Sequence, residues 1–238
     1  MLSRRQALVA GAALPFVATL LPRPAEAQIA MQGPGFAPYH RFTLGSFEVT
    51  TLLVGSRAMD NPQETFGTNA SPEDFAALSE ANFIPADRSQ NFFTPTLVNT
   101  GAELVLFDTG LSAEGTLSAM NAAGVSPDQV TMVVLTHMHG DHIGGLMGAD
   151  GTAPTFANAR YATGSVEHNH WSQAGNEGFD NNVVPLNDRI TFLDDGGSPT
   201  GGITAMAAFG HSPGHMAYQV ESDGQRLLLT ADTANHYV

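Results

Sequence analysis

Two apolar runs in RFTLGSFEVTTLLVG, residues 41–55, are broken at Gly45 and Ser46 and predict a hairpin. The period changes in SPEDFAALSEANFI, residues 71–84, where Ser71 as N-cap, Pro72 at the first helical position and acids in the first turn predict a helix. TPTLVNT and ELVLFDTG then read as two strands joined by a Gly-containing turn, and residues 113–124 as a short helix. TMVVLT, residues 131–136, is a buried β-branched strand. Downstream, GSVEHNHWSQ can be helical, RITFL and GITAMAAFG are strands, and MAYQVESDGQRLLLTAD is a hairpin turning at Asp223 and Gly224. Strand groups alternating with helices predict an α/β layered fold in which loops at strand ends carry the chemistry.

Composition narrows the chemistry. Acidic residues outnumber basic ones 23 to 9, for a formal net charge of −14, and every basic residue is arginine. Such a surface repels nucleic acid and anionic lipid, because no basic patch interrupts it. With no cysteine there is no disulfide, no thiolate nucleophile and no thiolate ligand, so any metal is held by nitrogen and oxygen.

The first 27 residues read as a separate unit. MLSRRQ gives a positive start, ALVAGAALPFVATLL an apolar run, and AEA before Gln28 a small-x-small cleavage site, so residues 1–27 are expected to be a removable export signal. The paired Arg4 and Arg5 point to the twin-arginine route and a periplasmic destination. The run is short for a membrane span and Pro15 interrupts it. Its removal takes three arginines and one glutamate, which leaves 6 basic and 22 acidic residues and a charge of −16 on an acidic domain, residues 28–238.

The densest chemistry lies in THMHGDHIGG, residues 136–145, just past the end of a strand. His137 and His139 are two apart and point the same way in extended backbone, and a turn at Gly140 can bring Asp141 and His142 back toward them. Neutral imidazole and carboxylate suit zinc, with iron or manganese as alternatives. GHSPGH, residues 210–215, adds His211 and His215 after a strand, and TAD ends another strand with Asp232. A carboxylate can bridge two cations, so two divalent metal ions are the expected count.

From about Thr96 to Asp232 the motifs FDTG, THMHGDH, GHSPGH and TAD resemble, in order and spacing, the metallo-β-lactamase superfamily of binuclear hydrolases. The resemblance implies a four-layer αββα sandwich. It implies that His137, His139 and His215 hold the first metal, that Asp141 and His142 hold the second, and that Asp232 bridges them. Asp108 of FDTG and His211 would orient ligands without touching metal. Asp141 and Asp232 would serve the reaction, either one passing a proton to the leaving group. The family adds a further histidine beyond the bridging aspartate, whereas this chain stops at Val238, so the resemblance leads one to expect a C-terminally incomplete domain.

The implied activity is hydrolysis of an ester, a lactone or an aryl phosphotriester by water activated between the cations. The methyl parathion hydrolase and lactonase branch is the most similar, and it implies a small-molecule substrate, a homodimer, and a pocket lined by Trp171, Phe92 and Phe93. An iron-dependent oxidoreductase of the persulfide dioxygenase type and a metal-binding but inactive fragment are the alternatives. An RNA-processing nuclease would share the motif, but its polyanionic substrate disagrees with the charge.

Overall fold

The computed structural model describes residues 36–235. The expected export signal lies outside the described residues. The strands, in chain order, are β1 (Tyr39–Leu44), β2 (Phe47–Leu52), β3 (Gly55–Asp60), β4 (Arg88–Phe93), β5 (Thr96–Asn99), β6 (Leu104–Phe107), β7 (Met132–Leu135), β8 (Arg160–Gly164), β9 (Ile190–Leu193), β10 (Ile203–Ala207), β11 (Met216–Ser222) and β12 (Gln225–Leu229). The helices are α1 (Pro72–Ala81), α2 (Ala113–Ala122), α3 (Gly140–Ile143), α4 (Ser165–Trp171) and α5 (Glu177–Asn182). Seven strands form one sheet in the order β1-β2-β5-β6-β7-β8-β9, three form a second, β10-β11-β12, and β3 pairs with β4.

Side-chain alternation assigns each face of the large sheet to a separate core. In β6, Leu104 and Leu106 pack with Val133 and Leu135 of β7 beneath Ala119 and Met120 of α2, Ile143 of α3 and Phe179 of α5. The intervening Val105, Phe107, Met132 and Val134 point the other way and meet Ile203, Ala205, Met216, Tyr218 and Val220 of the smaller sheet. A strand buried on both faces must be apolar at every position, which is why β6 and β7 read as continuous runs. The described residues therefore supply helix, sheet and sheet in the order the sandwich requires.

Local signals hold where they were strong. Ser71 Oγ accepts the Asp74 N–H at 3.1 Å, and Ser112 Oγ accepts that of Gly115 at 3.3 Å. The β11–β12 turn places Asp223 at φ 50 and Gly224 at φ 76, the paired left-handed residues of a tight hairpin turn. Strands β3 and β4 carry no legible pattern, because GSRAMD and RSQNFF are largely exposed and stabilised by pairing with each other.

The topology decides where chemistry can sit. Strands β6, β7, β8 and β9 run parallel, so their C-terminal ends open at one edge of the sheet. Asp108 follows β6, Thr136 and His137 follow β7, and α4 follows β8 at that edge. The loop after β7 is drawn against the loop after β6 by two glycines. A Cβ on Gly144 would lie 2.3 Å from Leu111 O, and one on Gly145 would lie 2.2 Å from Thr109 O. Gly140 by contrast has no atom within 4 Å of a Cβ. Gly145→Ala is therefore expected to cost roughly 1–3 kcal/mol of stability through overpacking, while Gly140→Ala should lower it by less than about 0.5 kcal/mol. Urea denaturation of both variants checks this, and equal midpoints would contradict it.

Candidate metal centre

The centre is organised from behind by Asp108. This residue sits in the left-handed region at φ 59, a conformation that costs a non-glycine residue energy and is held only by what surrounds it. Its Oδ1 accepts the Thr136 N–H at 2.8 Å, and its Oδ2 accepts the Thr136 hydroxyl at 2.8 Å and His142 Nδ1 at 2.8 Å. Since Thr136 Oγ spends its hydrogen on Asp108, it can only accept from His137 Nδ1, 3.1 Å away. That fixes the His137 tautomer and leaves the Nε2 lone pair facing forward.

Three imidazole nitrogens meet in front of this support. His137 Nε2 lies 3.0 Å from His139 Nδ1, His139 Nδ1 lies 2.9 Å from His211 Nε2, and His211 Nε2 lies 3.2 Å from His137 Nε2. Burial and the neighbouring His142 push His137 well below the usual histidine range, and burial with His211 lowers His139. Both rings are thus neutral donors at ordinary pH.

His137, His142 and Asp232 form a second group with converging donor atoms. Asp232 spans the two groups, with Oδ1 3.4 Å from His142 Nε2 and Oδ2 3.4 Å from His211 Nε2. Burial works against the Asp232 carboxylate, yet hydrogen bonding and attraction from His142 hold its pKa well below the usual range. For His142 burial is likewise outweighed, here by Asp108 and Asp232, and its pKa is raised to about 10. Asp141 stands at the margin, its Oδ2 3.7 Å from His142 Nε2 and its side chain one-third exposed.

One placement differs from the expectation. His215 was expected in the first ligand set with His211 behind it, but His211 completes the triangle. The reason is the backbone. His215 abuts β11, its carbonyl accepts the Ala208 N–H at 2.9 Å, and its fully buried ring takes the Asp232 N–H on Nε2 at 3.2 Å. His215 therefore positions the backbone of Asp232, while His211, on the loop before it, is free to face the cavity.

Phe92 and Phe93 line a cavity of about 1560 Å³ that His139, Asp141, His142, His211 and Asp232 also line. Trp171 is not among its lining residues. Its ring stands edge-on to His139 at 5.6 Å, and its indole N–H donates to Glu167 at 2.7 Å. His168 is buried against Phe179 and Phe192 with Nε2 2.9 Å from Asn187 Oδ1. Sequence reasoning missed Glu167, a lone acid on a short helix whose partners lie far away in the chain, and it also missed Thr136.

The donor set suits a divalent cation. Tetrahedral zinc with Zn–N bonds of about 2.0–2.1 Å separates two nitrogens by about 3.3 Å, close to the triangle observed. Three neutral imidazoles next to a bridging-type carboxylate, without sulfur, match zinc and do not exclude iron or manganese.

A family model for the metallo-beta-lactamase superfamily matches residues 94–236. A ribonuclease Z from Methanothermobacter thermautotrophicus is 52% identical over 71 residues, covering 30% of this chain and 22% of that protein. One from Pyrococcus furiosus is 47% identical over 49 residues, 21% of this chain and 15% of that protein. The chain thus spans well under two thirds of these relatives. Among solved structures, AidC, a dizinc quorum-quenching lactonase in complex with a homoserine product, superposes with a TM-score of 0.69 at 22% identity over 80% of this chain and 72% of its own. The hydrolase AbOPH gives 0.72 at 24% identity over 84% and 75%. At these identities the likeness is one of fold.

Two outcomes follow from the geometry. His211→Ala is expected to lose one equivalent of bound zinc by plasma mass spectrometry, whereas His215→Ala retains metal with weaker hold on the second equivalent; the opposite ranking would restore His215 to the ligand set. In the metal-free protein a raised His142 pKa contributes stability that is complete below about pH 6.5 and is lost as pH rises through about 10. A cation must displace that proton, so zinc uptake at pH 8 should release a proton, seen in calorimetry as a dependence on buffer ionisation enthalpy. A buffer-independent heat would refute it.

Proposed function

This chain belongs to the metallo-beta-lactamase superfamily, and from that premise we propose that it is a binuclear metal-dependent hydrolase of an uncharged ester, lactone or aryl phosphotriester carrying an apolar group. The observation that carries the reading is the placement of His139 and His211, with His142 and Asp232, at the wall of a cavity whose remaining surface includes Phe66, Phe75, Leu78, Phe92 and Leu228, His137 lying buried behind them. Leu78, Phe92 and Leu228 are each about half exposed, an apolar surface with no partner among the described residues. The lactonase and hydrolase structures that share the fold support the same chemistry.

In this reading His137, His139 and His211 hold one cation through neutral nitrogens, His142 and Asp141 serve the other, and Asp232 lies between. When bound, such a pair supplies a nucleophile from water at neutral pH and polarises the oxygen under attack. The protein's own groups do the rest. Asp108 keeps the His142 Nδ1 proton in place and, through Thr136, fixes His137. The Asp141 carboxylate, facing the cavity, takes the proton released as water adds to the acyl or phosphoryl centre and returns it to the departing oxygen. The apolar walls bind the substrate's acyl or aryl group and exclude bulk water.

The ribonuclease Z similarity raises RNA as a second substrate class. A formal charge of −14 opposes a polyanion, and the cavity offers it only two arginine side chains, Arg57 and Arg88, beside acidic and apolar wall. The test assays zinc-loaded protein against an aryl ester, an acyl-homoserine lactone, an aryl phosphotriester and an RNA oligonucleotide. Turnover of a neutral substrate is expected, abolished by chelation, restored by zinc, and reduced about 10²–10⁴-fold in kcat by Asp141→Asn. Cleavage of RNA alone, or no turnover of any substrate, would overturn the proposal.

A further inference from the structure

Glu167 lies on α4, behind the centre rather than in it, and is completely buried. Its carboxylate takes four hydrogen bonds. Oε1 accepts the Met138 N–H at 3.0 Å and the Trp171 indole N–H at 2.7 Å, and Oε2 accepts the Ser212 hydroxyl at 2.8 Å and the Gly214 N–H at 2.8 Å. A buried carboxylate is tolerated only when its lone pairs are satisfied, and here donors meet both oxygens with no cation among them.

The partners' positions in the chain give the arrangement its meaning. Met138 is the residue between His137 and His139, and Ser212 and Gly214 lie between His211 and His215. One carboxylate therefore ties the loop after β7 to the loop after β10, residues more than 70 positions apart that must bring His139 Nδ1 and His211 Nε2 within 2.9 Å. The approach is tight on the helix side as well, since a Cβ on Gly214 would stand 2.0 Å from Glu167 N.

We propose that Glu167 is a positioning residue that sets the separation of His139 and His211 and thereby the affinity of the three-histidine group for its cation. The proposal rests on the metal reading above. Glutamine has the same shape, yet its NH2 cannot accept from the donors that meet one carboxylate oxygen, so Glu167→Gln loses two bonds and opposes donor to donor. Ser212→Ala removes a single bond and leaves the helix intact.

The experiment is titration of the metal-stripped protein with cobalt(II), followed by the visible cobalt spectrum and by the fluorescence of Trp171, the only tryptophan, whose ring stands against His139. Glu167→Gln, at a temperature where circular dichroism shows it folded, is expected to bind the first equivalent on the order of 10–100-fold more weakly, with an altered spectrum. Ser212→Ala is expected to weaken it several-fold. A Glu167→Gln variant that is less stable but binds cobalt with unchanged affinity and spectrum would overturn the positioning role. If that variant fails to fold, unchanged affinity in Ser212→Ala overturns it. Wild-type protein that takes up no cobalt would instead sink the metal reading itself.

Discussion

The carboxylate of Asp108 is the constraint on which the centre depends. It is buried in a left-handed backbone conformation that aspartate tolerates better than most residues but that still costs energy, and the surrounding structure holds it there. In return it accepts the Thr136 N–H, the Thr136 hydroxyl and His142 Nδ1. The consequences spread outward. The Thr136 hydroxyl is left able only to accept from His137, which fixes that ring, and the anionic charge favours a cation at His142. One residue at the end of one strand thus decides the orientation of donors in both groups.

Around that support the fold separates two solvents. Donor atoms gather at the edge where parallel strands end, and the other walls of the cavity mix aromatic and aliphatic residues such as Phe66, Phe75 and Leu78 with polar ones such as Arg57, Arg88 and Gln90. Neutral imidazoles kept below their ordinary pKa by burial stay ready to bind a cation, while Asp232 stays ionised through attraction to His142. The proposed substrate, with a polar reacting group and an apolar remainder, would use both kinds of wall.

Precision at such a centre has to be supplied from behind. The histidines come from loops following different strands, and loops are the least self-supporting parts of a fold. Asp108, Glu167 and His215 each reach across from a rigid element to a loop, binding Thr136 and His142, Met138 with Ser212 and Gly214, and the Asp232 N–H respectively. Of the three only Asp108 lines the cavity, yet together they hold the three imidazole nitrogens within about 3 Å of one another.

The sequence by itself determined what depends on neighbours in the chain. Ser71 and Ser112 cap helices through residues three positions on, Asp223 and Gly224 make a turn through their own backbone, and β6 and β7 are apolar on both faces because each is buried twice. The motif His137, His139, Asp141 and His142 was legible because one loop carries it. What depended on distance was decided by tertiary structure alone. Setting His211 rather than His215 beside His137 and His139 needed the start of β11, against which His215 is held. The role of Glu167 needed α4 set between two loops, and the β3–β4 pair needed each strand to find the other, since neither carries an apolar pattern of its own. Periodicity reports a residue's burial, but which atom faces which is fixed only when remote segments pack.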